Sequence, residues 1–302
     1  MIETFQATLP HGITLSCRAS GRPGAPVLMF LHGFPEAAFV WDALLEQFGD
    51  RYRCIAPNLR GFERSSAPPE VQAYRPKHLV ADLLALIEMS GGTLEALIAH
   101  DWGGAVAWNL AAQQPHRLNR LVIVNSPHPA IFLRELQHSA KQQAASAYMN
   151  FLCRPDAEER LAQDDFARLF ALFANMGATD PSHPGGGWLT EAMKERYRAV
   201  WRAGLRGGCN YYRASPLRPP TAPDDAIMHL QFAPEFVTVR VPTRVVWGEA
   251  DLALLPGLLD GLQAYVPDLV LVRVPDATHW IVHERPRFIA KQLDAALLES
   301  TP

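Results

Sequence analysis

Residues 94–108 read "LEALIAHDWGGAVAW", an apolar run that leads into a helix-like one, with Asp101 at the join and Gly103 and Gly104 just beyond. Asp is among the best residues for capping a helix N-terminus. A carboxylate exposed on a sharp turn is also a nucleophile. The segment alone allows both readings. Two more groups stand at comparable places. Asp251 follows "TRVVWGEA", and His279 ends "LVLVRVPDATH". Taken singly, Asp251 reads as a turn residue and His279 as a loop histidine with its hydrogen bonds satisfied. Taken together, the chain order carboxylate, acid, histidine is that of a nucleophile, an orienting acid and a general base. His283, four residues further on, is a weaker rival for the base because the pattern puts it inside the next helix. His279 and His283 also have the spacing of a metal pair, but no third ligand is evident, so no metal is expected.

Elements of a particular kind must position these groups. "ETFQATL" and "ITLSCRA", joined by Pro10-His11-Gly12, predict an antiparallel hairpin. "VLMFL", "YRCIAP", "LEALIAH" and "LVIVNS" are short apolar runs of the kind buried on both faces of a parallel sheet. Helical patterns such as "HLVADLLALIEMS" and "GAVAWNLAAQQ" separate them. The repeated strand-helix order predicts an α/β chain with a mostly parallel sheet and helices on both faces. The order breaks after Pro127-His128-Pro129 and resumes near residue 243. The expected organisation is therefore a core of residues 1–129 and 221–302, interrupted by a helical block, 130–220. In such sheets reactive groups gather beyond the carboxyl ends of strands, which is where Asp101, Asp251 and His279 fall.

Composition limits the alternatives. A chain of 302 residues with 48% hydrophobic content can bury a large core. Its formal net charge of -3 lacks the basic surplus of a nucleic-acid partner. The four cysteines form no C-x-x-C pair, which suggests neither a zinc site nor a disulfide framework. The start, "MIETFQATLPHG", does not read as a signal peptide. No apolar run reaches the roughly 18 residues of a membrane span. The expectation is a cytoplasmic protein with neither nucleic-acid nor membrane partner; monomer and homodimer both remain open.

"LHGFPE" (31–36), "LRGFERS" (59–65), "AHDWGG" (99–104), Asp251 and His279 together resemble the α/β-hydrolase superfamily. More narrowly, they resemble its branch with Asp in place of the usual Ser, which holds epoxide hydrolases and the haloalkane and fluoroacetate dehalogenases. Two departures are visible. Ala99 replaces the usual elbow Gly, and Asn58 and Glu63 replace the usual Asp and Gly around Arg60-Gly61. The resemblance implies an α/β-hydrolase fold with a helical cap. It implies oxyanion-hole amides at Phe34 and Trp102, and no cofactor. A carboxylate suits displacement at saturated carbon, leaving an alkyl ester on Asp101. His279, oriented by Asp251, would activate the water that clears it. Opening an epoxide also needs an acid. "YMNFLCRPDAEE" and "GGCNYYRASPL" are similar to the two cap-tyrosine segments of epoxide hydrolases, implicating Tyr148 and Tyr212 ahead of Tyr197 and Tyr211. Core packing is the plainer reading of either tyrosine. The expected function is hydrolysis of an epoxide to a diol, on a small to medium, mostly uncharged organic substrate. A dehalogenase is the alternative, with Trp102 and either Trp188 or Trp201 holding halide. A non-catalytic binding protein on the same scaffold is the third reading.

Overall fold

The apolar runs become the strands of a single sheet in the computed structural model, which describes residues 1–298. They are β1 (Glu3–Thr8), β2 (Thr14–Ser20), β3 (Val27–Leu31), β4 (Arg53–Pro57), β5 (Ala96–His100), β6 (Leu121–Val124), β7 (Thr243–Gly248) and β8 (Leu269–Val274). The helices are α1 (Asp42–Phe48), α2 (Pro76–Met89), α3 (Asp101–Gln113), α4 (Pro129–His138), α5 (Ala140–Ala145), α6 (Tyr148–Leu152), α7 (Ala157–Ala174), α8 (Glu191–Arg202), α9 (Arg206–Ala214), α10 (Pro234–Val237), α11 (Ile281–Glu284) and α12 (Pro286–Leu298). Every residue of β3, β5, β6 and β7 is buried, as it must be where helices cover both faces of a parallel sheet.

The strand order is β1-β2-β4-β3-β5-β6-β7-β8, with β1 and β2 antiparallel to their neighbours and the rest parallel. The chain leaves β3 for β4 on one side and returns to β5 on the other. That reversal opens a crevice beyond the carboxyl ends of β3 and β5. Register aligns the reactive ends. Leu31 lies beside Ala99, His100 beside Val124 and Gly248 beside Val274. The loops that carry Phe34, Asp101, Asn125, Asp251 and His279 therefore leave one edge of the sheet.

Among the described residues no strand lies between β6 and β7. This stretch is helical, α4 to α10, and α10 returns to pack against α3. Within it α6 packs against α9, which brings Tyr148 near Tyr212. One break was not visible in the sequence. Inside α7, Asp164, Asp165 and Phe166 take φ of 51°, 53° and 64°, and Arg198 Nε from α8 donates to Asp165 Oδ2 at 2.7 Å. Three consecutive left-handed residues without a glycine carry no local sequence signal.

Candidate active site

Asp101 sits where β5 turns into α3, at φ 49°. A non-glycine residue rarely adopts that conformation, and it persists only where the surroundings enforce it. The helix end is not capped by a side chain. The Asp101 carboxylate is used elsewhere: its Oδ1 accepts from the Phe34 amide at 2.7 Å. Of the two readings open at the sequence level, helix cap or exposed carboxylate, the geometry is that of the second. Close packing forces small neighbours. A Cβ at Gly103 would stand 2.6 Å from the carbonyl oxygens of both Leu31 and His32, and a Cβ at Gly33 would fall on the Asp101 side chain, 2.7 Å from Cγ. Ser126 Oγ holds the Asp101 carbonyl oxygen at 2.7 Å.

His279 Nε2 lies 3.8 Å from Asp101 Oδ2, and its Nδ1 lies 2.7 Å from Asp251 Oδ2. Asp251 is buried and accepts from four donors. Oδ2 takes His279 and the Asn125 side-chain amide (2.9 Å), and Oδ1 takes the amides of Ala253 (2.8 Å) and Leu254 (2.9 Å). Burial pushes the Asp251 carboxyl up, but His279 and these hydrogen bonds outweigh it and hold the group below its ordinary range. Burial likewise presses the His279 imidazole toward neutrality. The Asp251 charge and hydrogen bond, then Asp101 and Glu36, overcome it and push His279 up to about 9.

Asn125 carries no signal of a role in the sequence, although it directly follows β6 at the expected edge. It stands at φ 36° and is pinned by Gly248, whose amide donates to its Oδ1 at 2.7 Å and whose carbonyl accepts from its Nδ2 at 3.1 Å. Glu36, the last residue of "LHGFPE", carries no signal of a role in the sequence. It is wholly buried. Tyr197 Oη donates to Oε1 at 2.8 Å, His283 Nε2 lies 2.6 Å from the same oxygen, and His100 Nδ1 lies 3.2 Å from Oε2. His100 Nε2 in turn lies 2.9 Å from the main-chain oxygen of His279. Burial raises the Glu36 carboxyl, but the two histidines outweigh that and hold it well below the carboxylate range. His283 is therefore engaged by Glu36 and Tyr197, while His279 faces Asp101. The two departures around Arg60-Gly61 also meet each other. Asn58 Nδ2 donates to Glu63 Oε2 at 3.2 Å, and Glu63 takes the φ of 51° that a glycine would adopt without strain.

A cavity of about 570 Å³ opens over Asp101, and Trp102, Tyr148 and Tyr212 line it. Asp101 is 12% exposed at its side chain, enough to face this space. Tyr212 packs edge-on against Phe34, Trp102 and Tyr148, with ring centroids 5.4, 5.1 and 6.1 Å apart. Burial, and then the negative charges nearby, raise both tyrosines well above the ordinary phenol value, so both are neutral O–H donors at any working pH. Tyr211 also touches the cavity, but its hydroxyl donates to the Arg60 carbonyl at 3.0 Å. Tyr197 is committed to Glu36. The tryptophans considered as halide donors are placed otherwise. Trp201 Nε1 donates to the Pro35 carbonyl at 2.7 Å, and Trp188 stacks on His283 with centroids 4.0 Å apart. Neither lines the cavity. Trp102 does, and its amide lies in the first turn of α3, where amides have no partner inside the helix.

Comparison with known proteins gives the family and the fold. The α/β-hydrolase fold family matches residues 26–286. The AB hydrolase superfamily protein YfhM of Bacillus subtilis is 33% identical over 283 residues, which cover 92% of each chain. Epoxide hydrolase 3 of Xenopus tropicalis is 31% identical over 287 residues, 93% of this chain and 73% of that one. The crystal structure of a Bacillus megaterium epoxide hydrolase in complex with an inhibitor superposes with a TM-score of 0.88 at 27% identity, over 98% of this chain and 100% of the other. The chain belongs to the α/β-hydrolase family, within the group of relatives that holds the epoxide hydrolases.

Proposed function

We propose that this protein hydrolyses an epoxide to a vicinal diol through an ester on Asp101, with residues 130–220 acting as the cap that closes the site. The observation that carries the reading is one cavity lined by a carboxylate, Asp101, and two neutral tyrosines, with His279 Nε2 3.8 Å from that carboxylate. Asp101 Oδ2 attacks an epoxide carbon. The ring C–O bond breaks, and a proton from Tyr148 or Tyr212 goes to the departing oxygen. The ester is then attacked at its carbonyl carbon by a water that gives a proton to His279. A separation of 3.8 Å is too long for a hydrogen bond, and a water set to one side of the pair can contact both groups. The Phe34 amide already holds Asp101 Oδ1, the oxygen that becomes the tetrahedral oxyanion, and the Trp102 amide is the second donor. Collapse breaks the acyl C–O bond. The two protons of the water end on the released diol oxygen and on the tyrosinate, so the net change is epoxide plus water to diol.

Charge timing supports the scheme. In the free protein Asp101 helps to hold His279 in its charged form. Esterification makes Asp101 neutral and removes that contribution. The imidazole then loses its proton more readily at the step that needs a base. To test the function, the purified protein is incubated with a panel of aryl and alkyl epoxides and with haloalkanes and haloacids, and diol and halide are measured. Diol formation that is lost in Asp101→Asn supports the reading. Halide release without diol formation overturns it in favour of a dehalogenase.

A further inference from the structure

The cavity does not stop at the reacting groups. Trp102, Ala105, Val106, Asn109 and Gln113 all line it, at the spacing of one face of α3. At 1.5 Å rise per residue this face carries the space roughly 12 Å from Asp101 to Asn109 and roughly 18 Å to Gln113. Gln113 and Phe236 are exposed, so the outer end is open to solvent. The charge pattern along this path is one-sided. Of the described residues that line the cavity, only Asp101 is charged, and it sits at the inner end of the α3 face. Farther along the α3 face the polar groups are two carboxamides. Asn109 uses only its Nδ2, donating to the Ala105 carbonyl at 2.8 Å, which leaves Oδ1 as an acceptor. The Gln113 side chain makes no hydrogen bond to the described residues, so its amide keeps both a donor and an acceptor.

We propose that the substrate is an uncharged epoxide with an apolar body and a distal neutral hydrogen-bonding group, such as a carboxamide or hydroxyl, which Asn109 and Gln113 read. This rests on the epoxide reading above and specifies its substrate class. The reacting carbon stands about 3 Å from the carboxylate oxygen in an attack-ready pose, which leaves roughly 8–10 Å to the first amide. An aryl ring on a short ether spans that distance. A distal carboxylate or ammonium held at the depth of Asn109, which is half-buried, would lose part of its hydration with no counter-charge among the residues that line the cavity there. A neutral amide finds partners there.

The test uses four glycidyl ethers: those of phenol, 4-hydroxybenzamide, 4-hydroxybenzoate and 4-(aminomethyl)phenol. The kcat/KM of each is taken relative to the phenol ether. The wild-type protein should favour the carboxamide about tenfold over phenol and disfavour the carboxylate by at least a similar factor. In Asn109→Leu/Gln113→Leu the carboxamide preference should fall to near one. In Gln113→Glu, which changes an exposed position by charge alone, the ammonium ether should gain and the carboxylate ether should lose further. Equal kcat/KM for all four ethers in the wild-type protein overturns the inference and leaves epoxide hydrolysis standing. So does a carboxamide preference that survives the double substitution. Failure to convert even the phenol ether overturns the epoxide reading and this one with it.

Discussion

Replacing both Tyr148 and Tyr212 by Phe removes the hydroxyls of two tyrosines that share the cavity with Asp101 and keeps their rings. The edge contacts of Tyr212 with Phe34 and Trp102 are made by the ring, so the site should keep its shape. Each hydroxyl is held neutral by burial and by the charge of Asp101, which makes it a donor and never a competing anion. The rings stand 6.1 Å apart, close enough for either hydroxyl to reach one substrate oxygen. A single substitution therefore leaves a working acid and should slow ester formation by roughly tenfold. The double substitution leaves the alkoxide without a proton. A positioned general acid is worth roughly 10²–10⁴-fold, or about 2.7–5.4 kcal/mol of barrier. The loss should fall on ring opening and not on hydrolysis of the ester. The assay is a stopped-flow single turnover under excess protein. It follows tryptophan fluorescence, because Trp102 adjoins the nucleophile and lies 5.1 Å from the Tyr212 ring. Wild-type ring-opening rates in the double variant would refute the assignment of the tyrosines as acids. So would a loss confined to ester hydrolysis.

Gly33→Ala should cost activity and some stability, because its new methyl would stand 2.3 Å from Asp101 Cβ, which moves only with the backbone of the elbow. A shift of the nucleophile by about 1 Å is worth about 10²-fold. A variant with wild-type single-turnover rates would show that Asp101 tolerates the displacement. For pH, His279 should titrate near 9 in the free protein, as followed by its imidazole resonances. The neutral imidazole is the active base, so the ester-hydrolysis rate should rise with pH to a plateau. Its midpoint should lie below 9, because the Asp101 charge is absent from the ester. An identical midpoint for the free protein and the ester would contradict the charge-timing argument. Removing the Asn125 amide, as in Asn125→Ala, takes one of four donors from a buried carboxylate and should lower turnover while Asp101 still forms ester. Unchanged turnover would mean that Asp251 is positioned by its backbone donors alone.

The sequence reveals groups whose role is set locally. Asp101, Asp251 and His279 each follow an apolar strand run, and strand ends on one edge of a parallel sheet are where such groups meet. The choice of Tyr212 over Tyr211 rested on a resemblance in one segment. In the structure both tyrosines of α9 line the cavity, but the Tyr211 hydroxyl is bonded to the Arg60 carbonyl. The remainder depends on contacts between distant parts of the chain. Glu36 meets Tyr197, His100 and His283 only after α8 folds over the sheet, and Asn125 meets Asp251 only through the register of β6 and β7. The left-handed residues of α7 follow from no composition rule, since Asp-Asp-Phe is ordinary helix sequence.

The central claim is that Asp101 becomes an ester and that water attacks this ester and not the substrate. It is tested most directly by one turnover under excess protein in oxygen-18 water, followed by mass analysis of the peptide that contains Asp101 and of the diol. The account predicts that the first diol carries unlabelled oxygen from Asp101 and that the label appears in the Asp101 carboxylate. Label in the first diol, with none in the peptide, would contradict it.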